Sequence, residues 1–218
     1  MDSGNSLRDR LVDIGVDLVT TEGSASLGLR EIARRAGVSH GAPRRHFPTH
    51  HDLLSAIARR GFEDLGARFM AAIADTTSPR AQLRAAARVY VGYALECRGM
   101  FELMFRHDLL DSEQHADGER HLRKSTLPLF GRIVILVAQC RAESNAAQRP
   151  SATNEAALSP AVTAAALWSN LHGVAQLWSW GSLQLTLDAS GPGDSPGRDQ
   201  LDELIAAVLN AHLGPVSS

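Results

Sequence analysis

Residues 30–54 read REIARRAGVSHGAPRRHFPTHHDLL, and this stretch decides how the rest of the chain is interpreted. From Arg30 to His51 it contains five arginines and one acid, Glu31, so its local charge is +4 with histidine neutral. The 218-residue chain as a whole has a formal net charge of −2. A cationic patch on a slightly acidic protein is typical of a surface that binds a polyanion, and the alternative is a solvated helix face.

Apolar residues around this stretch recur at helical spacing. The spacing predicts a first helix that begins near Leu7 and ends at Gly23, where a positive φ is easily adopted. It predicts a short second helix from Leu29 to Ala36, with Gly28 as its N-cap. Gly37 then closes this helix, and Ser39 is placed to cap a third helix that ends near Phe47.

Two short helices joined by a glycine-containing turn are typical of a helix-turn-helix DNA-binding motif. Gly41 and Ala42 in the third helix would allow close approach to a DNA groove, and the adjacent arginines Arg44 and Arg45 would point in different directions. Pro43 fits this helix poorly, because proline lacks an N–H and disfavours helical geometry in the residue before it. The sequence therefore predicts a DNA-binding element whose helix start is irregular.

Helical spacing continues to the C-terminal region, and no segment alternates with the period of a strand over more than a few residues. The predicted fold class is all-α with about nine helices, divided into a DNA-binding domain of residues 1–48 and a ligand-binding and dimerisation domain of residues 49–218. The later helices are predicted to begin with a Thr49–Asp52 capping box, at Pro79, at GMFELMF, near Gly118, at Pro160 after Ser159, and just before Leu201, and the last ends at Gly214.

Residues 7–60 closely resemble the TetR family of transcriptional regulators, most clearly over LREIARRAGVSHGAPRRHFPTHHDLL. The resemblance implies a homodimer that binds double-stranded operator DNA, with the segment from Ser39 to His46 of each subunit in the major groove. Two positions depart from the family pattern: Arg44 replaces a usual Tyr, and Gly28 replaces a usual Thr or Ser. The candidate DNA-contacting residues are Gly28, Arg30, Ser39, His40, Gly41, Ala42, Arg44, Arg45, His46, Thr49 and His50.

The C-terminal part suggests an effector site and a dimer interface. An LWSNLHG segment is similar to one C-terminal domain type of the family, and its Trp168 and His172 suit either a ligand cavity or core packing. Met and Phe residues elsewhere suit either a cavity for an apolar or aromatic small molecule or an ordinary core. The last two helices are the predicted dimer interface, because the stripe from Leu201 to Leu209 would otherwise be exposed. The candidate ligand-binding residues are Phe69, Met100, Phe101, Met104, Phe105, Phe130, Trp168 and His172.

Other function classes have weaker support in the sequence. The residues His107, Asp108, Asp111, His115 and His121 lack metal-ligand spacing, and no phosphate-binding loop or nucleophile motif is present. We therefore expect no cofactor, no metal and no enzymatic activity. The chain has no long apolar run and no secretion signal, so we expect a cytoplasmic protein with no membrane partner. A helical adaptor that has lost DNA binding remains the alternative to a regulator.

Overall fold

The computed structural model describes residues 6–106, 116–147, 158–188 and 197–215, except for the side chains of residues 116–126, 147 and 188. Within these ranges the chain forms nine α-helices and two short 3₁₀ helices and contains no β-strand, which confirms the all-α prediction. The α-helices are α1 (Leu7–Glu22), α2 (Leu29–Arg35), α3 (His50–Ile73), α4 (Pro79–Glu96), α5 (Arg98–Met104), α6 (Ala116–Ala147), α7 (Pro160–Ser179), α8 (Ser182–Asp188) and α9 (Gly197–Leu213). The 3₁₀ helices are η1 (Ser24–Ser26) and η2 (Pro43–Arg45).

Several helix ends lie where capping chemistry predicts them. Helix α1 stops at Gly23, whose φ of 84° is unfavourable for a residue with a side chain. Gly28 is the N-cap of α2, as predicted. At the start of α3 the capping box is complete: the Asp52 N–H donates to Thr49 Oγ1 at 3.1 Å, and the Thr49 N–H donates to Asp52 Oδ2 at 2.9 Å. Ser159 caps α7 by accepting from the Val162 N–H at 3.3 Å.

The predicted third helix, from Ser39 to near Phe47, is wrong. The structure has a turn in which the Ala42 N–H donates to the Ser39 carbonyl, followed only by η2. Pro43 supplies the physical reason, because it has no N–H to donate back to the Ser39 carbonyl. After Pro43, the Arg45 N–H donates to the Ala42 carbonyl, and the His46 and Phe47 N–H groups donate to the Pro43 carbonyl. Ser39 therefore accepts through its backbone in a turn, and it does not cap an α-helix.

Helix α8 was not predicted as a separate element. The chain turns after α7 at Gly181, with a φ of 78°, and the Leu185 N–H then donates to the Gly181 carbonyl as α8 begins. Among the described residues the number of α-helices equals the predicted number because this extra helix offsets the absent third one. The polar composition of residues 144–159 predicts a loop, but α6 continues to Ala147, and residues 148–157 lie outside the described residues. The Gly- and Pro-rich stretch of residues 188–199 predicts a flexible connector, and residues 189–196 of that stretch also lie outside the described residues.

The chain forms two compact units, Met1–Leu65 with Glu96–Leu127, and Gly66–Leu95 with Pro128–Ser218. In the first unit, α1, α2, α3 and α5 enclose a core of fully buried side chains that includes Leu11, Ile32 and Ile57. This grouping follows packing and not function, so the predicted domain division between residues 48 and 49 stays a prediction. No described helix is long and apolar enough to cross a membrane.

In the second unit, α9 packs along α7. Ile205 and Leu209 of α9 are each 2% exposed within this single chain. The expectation that the stripe from Leu201 to Leu209 would be left exposed is therefore wrong for these two side chains. Their burial inside the unit removes them from the surface that a second subunit could cover.

Candidate functional site

The segment between α2 and α3 has a buried interior and a polar outer surface. Pro43 and Phe47 are buried, and Phe47 is only 1% exposed. The exposed residues of this segment are Ser39, His40 and Gly41 before Pro43, and Arg44, Arg45 and His46 between Pro43 and Phe47. The turn and η2 thus display nearly every predicted DNA-contacting side chain of this segment to solvent, and Ala42 is half-buried.

Two of the five arginines in the cationic stretch are neutralised by acids. Arg34 makes a two-point contact with Glu31, with its Nε 2.9 Å from Oε2 and its Nη2 2.6 Å from Oε1. Arg35 Nε donates to Glu31 Oε1 at 2.8 Å, and its Nη2 donates to Glu22 at the end of α1. Hydrogen bonds from Arg34 and then Arg35 lower the pKa of Glu31 from 4.5 to about 2.

The remaining arginines of the stretch are Arg30, Arg44 and Arg45. All three are exposed, and no ion pair joins any of them to another residue in the part of the chain that the structure describes. An exposed guanidinium keeps its five N–H donors available for phosphate or base edges. The cationic character of this surface therefore rests on three arginines, whereas the sequence count suggested five.

The residues at the helix starts have different environments. Gly28 is exposed and offers no side chain, and Thr49 is half-buried because its hydroxyl belongs to the capping box. The His50 ring is hydrogen-bonded through Nε2 to the Leu27 carbonyl, which joins the start of α3 to the residue before Gly28. This contact gives His50 a structural partner that the sequence did not indicate.

The predicted ligand-binding residues fall into both compact units. In the first unit, Met100 and Met104 pack over Gly61 so closely that a Cβ there would lie 2.7–2.8 Å from their side chains. Phe105 lies edge-on to Phe101 and to Phe62, with ring centroids 4.8 and 5.7 Å apart. Met100, Phe101 and Met104 are at most 3% exposed, so these side chains form a tight apolar core around the middle of α3.

In the second unit, Trp168 and His172 both contact a tyrosine, Tyr90, that no sequence pattern indicates. Trp168 Nε1 donates to Tyr90 Oη at 2.9 Å, and Tyr90 Oη lies 2.8 Å from His172 Nδ1. Burial lowers the pKa of His172 and raises that of Tyr90, which favours a neutral ring accepting the tyrosine proton at Nδ1. Phe69 is buried and Phe130 half-buried in the same unit.

Two of these partners could be found only in three dimensions. Glu22 lies 13 residues from Arg35, and Tyr90 lies 82 residues from His172, so neither pair has a sequence signature. Among the described residues, no group of three or more His, Cys, Asp or Glu side chains is arranged to hold a metal ion. The five residues considered for a metal, His107 to His121, lie outside the described side chains.

Comparison with known proteins identifies the family. Residues 11–57 match the bacterial regulatory proteins of the tetR family, and residues 83–192 match the Tetracyclin repressor-like, C-terminal domain. An uncharacterized HTH-type transcriptional regulator of Mycobacterium tuberculosis is 36% identical over 75 residues, which is 34% of this chain and 37% of that protein. The HTH-type transcriptional activator FasR of Mycolicibacterium smegmatis is 28% identical over 109 residues, half of each chain. The matches thus span half or less of these curated relatives.

Solved structures match over almost the whole chain. A Rhodococcus sp. RHA1 protein of unknown function is 27% identical with a TM-score of 0.69, and the match covers 97% of this chain and 96% of that one. The structure of AibR in complex with isovaleryl coenzyme A and operator DNA has a TM-score of 0.60 at 15% identity, over 97% of this chain and 100% of AibR. With both family regions matched, the chain belongs to the TetR family, whose members are transcriptional regulators and not enzymes.

Proposed function

We propose that this protein is a homodimeric repressor that binds operator DNA through the surface between α2 and α3 and is released by a small-molecule effector. In this proposal residues 1–48 contact DNA, and residues 49–218 dimerise and bind the effector. The observation that carries the proposal is the set of exposed arginines, Arg30, Arg44 and Arg45, that have no ion-pair partner among the described residues. Unpaired cations on a protein of net charge −2 favour binding to a polyanion.

The two adjacent arginines have separable roles in this proposal. Arg45 reads a base, and Arg44 holds a phosphate in place of the tyrosine that is usual in the family. Arg45→Ala should weaken specific binding by about 1–3 kcal/mol, and Arg44→Ala should lower the salt dependence of log Kd by about one unit. Arg84→Ala is the matched control, since Arg84 is an exposed arginine on α4.

The binding experiment uses labelled duplex from the region upstream of the protein's own gene, with random duplex as competitor, at two or more salt concentrations. Specific binding that weakens steeply with salt is the expected result. Equal losses of affinity on specific and random DNA for Arg45→Ala would contradict its base-reading role.

A reporter gene tests whether the protein represses or activates transcription, which matters because FasR is an activator. Reporter expression that falls when the protein is removed would contradict repression.

Dimerisation is supported by the solvent-facing side of α7. Val162 and Leu177 of α7 and its C-cap residue Trp180 are 50%, 40% and 61% exposed, and their spacing places them within about 60° around the helix axis. Gly173 lies on the same side, and a Cβ built there would meet no atom within 4 Å. An exposed apolar strip with a small residue near its middle suits close packing against a second copy.

Sedimentation velocity tests this interface with one pair of variants. Gly173→Arg should convert a dimer into a monomer, because the long side chain has room within its own chain but would obstruct a partner. Gly92→Arg is the control, since Gly92 on α4 also has open space around a built Cβ. A Gly173→Arg protein that remains dimeric would place the interface elsewhere.

The effector site is supported by the hydrogen-bonded chain from Trp168 through Tyr90 to His172. Aromatic faces joined by polar atoms suit an apolar or aromatic molecule with few hydrogen-bonding groups. The AibR structure shows a protein of this fold bound to both a small molecule and operator DNA. Of the predicted lining residues, Phe69 and Phe130 lie in the same unit and complete the proposed site, whereas Met100, Phe101, Met104 and Phe105 belong to the core of the first unit.

Release of DNA follows if the effector binds one conformation of the protein more tightly than the other. Helix α3 contributes residues to both compact units and is therefore the proposed route of coupling. A ligand screen read out as DNA release identifies the effector, and quenching of the tryptophan fluorescence reports its binding. Tyr90→Phe should weaken ligand binding but leave DNA affinity without ligand unchanged. A bound ligand that leaves DNA affinity unchanged would refute the coupling.

An adaptor without DNA binding is the second candidate, favoured by the short η2 where a longer recognition helix was expected. Pro43 is buried there, so the irregular backbone is part of the packed structure. A folded dimer that binds neither upstream nor random duplex at low salt would favour the adaptor over the regulator.

A further inference from the structure

We propose that Arg8, on the first turn of α1, is an additional DNA-backbone contact that Phe47 holds beside the arginines of η2. The inference rests on the proposed DNA-binding function and extends its surface to a helix outside the segment between α2 and α3. In this proposal the Arg8 guanidinium binds a phosphodiester oxygen of duplex DNA.

The position of Arg8 is set by a long-range contact. Its guanidinium carbon lies 5.0 Å from the centroid of the Phe47 ring, within the range of a cation–π interaction. Phe47 is 1% exposed, and it follows Arg44, Arg45 and His46 directly in the chain. Arg8, which lies 39 positions before Phe47 in the sequence, is therefore held next to the end of the predicted DNA-contacting segment. Arg8 itself remains exposed.

The other charged groups near the start of α1 are engaged in local structure. The Asp9 carboxylate accepts from the Ser6 hydroxyl at 2.8 Å, and the Asp9 N–H donates to Ser6 Oγ at 3.3 Å, which caps the helix. Arg10 Nη2 donates to the Ala36 carbonyl at 3.0 Å and thereby satisfies the end of α2. No described acid forms an ion pair with Arg8. Its charge is therefore not offset by a carboxylate in the described structure.

Contact with an aromatic face leaves the in-plane donors of a guanidinium available. The ring attracts the cation from one side, while the five N–H groups point outward in the guanidinium plane. A phosphate can accept two of them at once. The contact with the ring also restricts the long Arg8 side chain before DNA binds, so less conformational entropy is lost on binding. Phe47 thus preorganises Arg8 for an anion.

Arg8 belongs to the backbone-contacting class and not to the base-reading class. Its anchor is the buried ring at the end of the segment, whereas the exposed residues His40, Gly41, Arg44 and Arg45 occupy the part predicted to enter the groove. Phosphate contacts set the position of a protein on DNA and carry no sequence information directly. Loss of Arg8 should therefore weaken binding to every sequence to a similar extent.

The test compares the full-length wild-type protein with Arg8→Met and Arg8→Lys on upstream duplex and on random duplex of equal length. Methionine retains an apolar contact with the Phe47 ring and removes the charge, so it separates charge from packing. Arg8→Met should lower the slope of log K against log salt by about one unit on both duplexes, and Arg8→Lys should keep the wild-type slope. Arg84→Met on α4 is the charge-matched control and should leave the slope unchanged.

The outcomes separate the Arg8 assignment from the proposed function. An unchanged slope for a folded Arg8→Met, in a wild type that binds DNA, would overturn the Arg8 assignment and leave the proposed function in place. A selective loss on upstream DNA alone would also overturn it, because it would make Arg8 a base-reading residue. Absence of binding by the wild type at low salt would overturn the proposed function and this inference together. Thermal unfolding of each variant verifies that it is folded.

Discussion

Gly99→Ala is predicted to destabilise the protein because the start of α5 touches the backbone of α1. A Cβ built on Gly99 lies 2.3 Å from the Val19 carbonyl oxygen and 3.1 Å from the Gly23 Cα. An ordinary carbon–oxygen contact is about 3.3–3.6 Å, so one helix must move by about 1 Å. Both obstructing atoms belong to the main chain, and neither can rotate away as the end of a side chain could.

The expected size of the effect is the balance of two opposing contributions. Overpacking of this kind costs about 1–3 kcal/mol. Replacing glycine by alanine in a helix returns about 0.5–1 kcal/mol of conformational entropy. Because both obstructing atoms belong to the main chain, the overpacking cost should lie in the upper half of its range, and the net loss in the free energy of unfolding should be about 1–2 kcal/mol. For a chain of this size, that corresponds to a decrease in Tm of about 2–8 °C.

Two matched alanine variants make the measurement specific. At Gly15 the Cβ would lie 2.3 Å from Ile57 Cδ1, which is the end of a rotatable side chain, so Gly15→Ala should cost less than Gly99→Ala. At Gly92 on α4 no atom lies within 4 Å, so Gly92→Ala should raise the Tm slightly. Thermal unfolding followed by circular dichroism, at one protein concentration, gives all three values. A Gly99→Ala protein as stable as the wild type would refute the close approach of α5 to α1.

Three further predictions concern capping and titration. Thr49→Ala should lower the urea-unfolding free energy by about 1 kcal/mol, and Thr49→Ser should not, because the lost hydroxyl accepts from the Asp52 N–H. The pKa of Glu31 is about 2 in the folded protein, compared with an ordinary value of 4.5. Above about pH 4.5 the wild type should therefore be more stable than Glu31→Gln, and this difference should disappear as the pH falls toward 2. A difference in Tm that does not change with pH would contradict this. Burial lowers the pKa of His172 below its ordinary value of 6.5. As the pH falls below 6.5, the wild type should therefore lose more stability than His172→Gln. An NMR titration that gives the His172 ring a pKa at or above 6.5 would contradict this.

Local sequence chemistry was sufficient to predict many helix ends. Gly23 and Gly28, together with the Thr49–Asp52 capping box, involve residues at most a few positions from the backbone groups they satisfy. The same local rule identified Pro43 as a difficulty, but did not show that it would reduce the third helix to η2. The all-α class and the TetR resemblance also followed from short-range patterns, and both were confirmed.

The tertiary structure decided which charges and polar groups meet. The sequence counted five arginines against one acid, yet folding places Glu22 of α1 beside Arg35 and leaves three arginines of that stretch without an ion pair among the described residues. In the same way, Phe47 comes to lie beneath Arg8, and Tyr90 comes to lie between Trp168 and His172. The sequence by itself determined most of the helices and many of their ends, because helical hydrogen bonds and caps join near neighbours. Only packing brings distant side chains together, so the composition of the candidate sites had to await the three-dimensional structure.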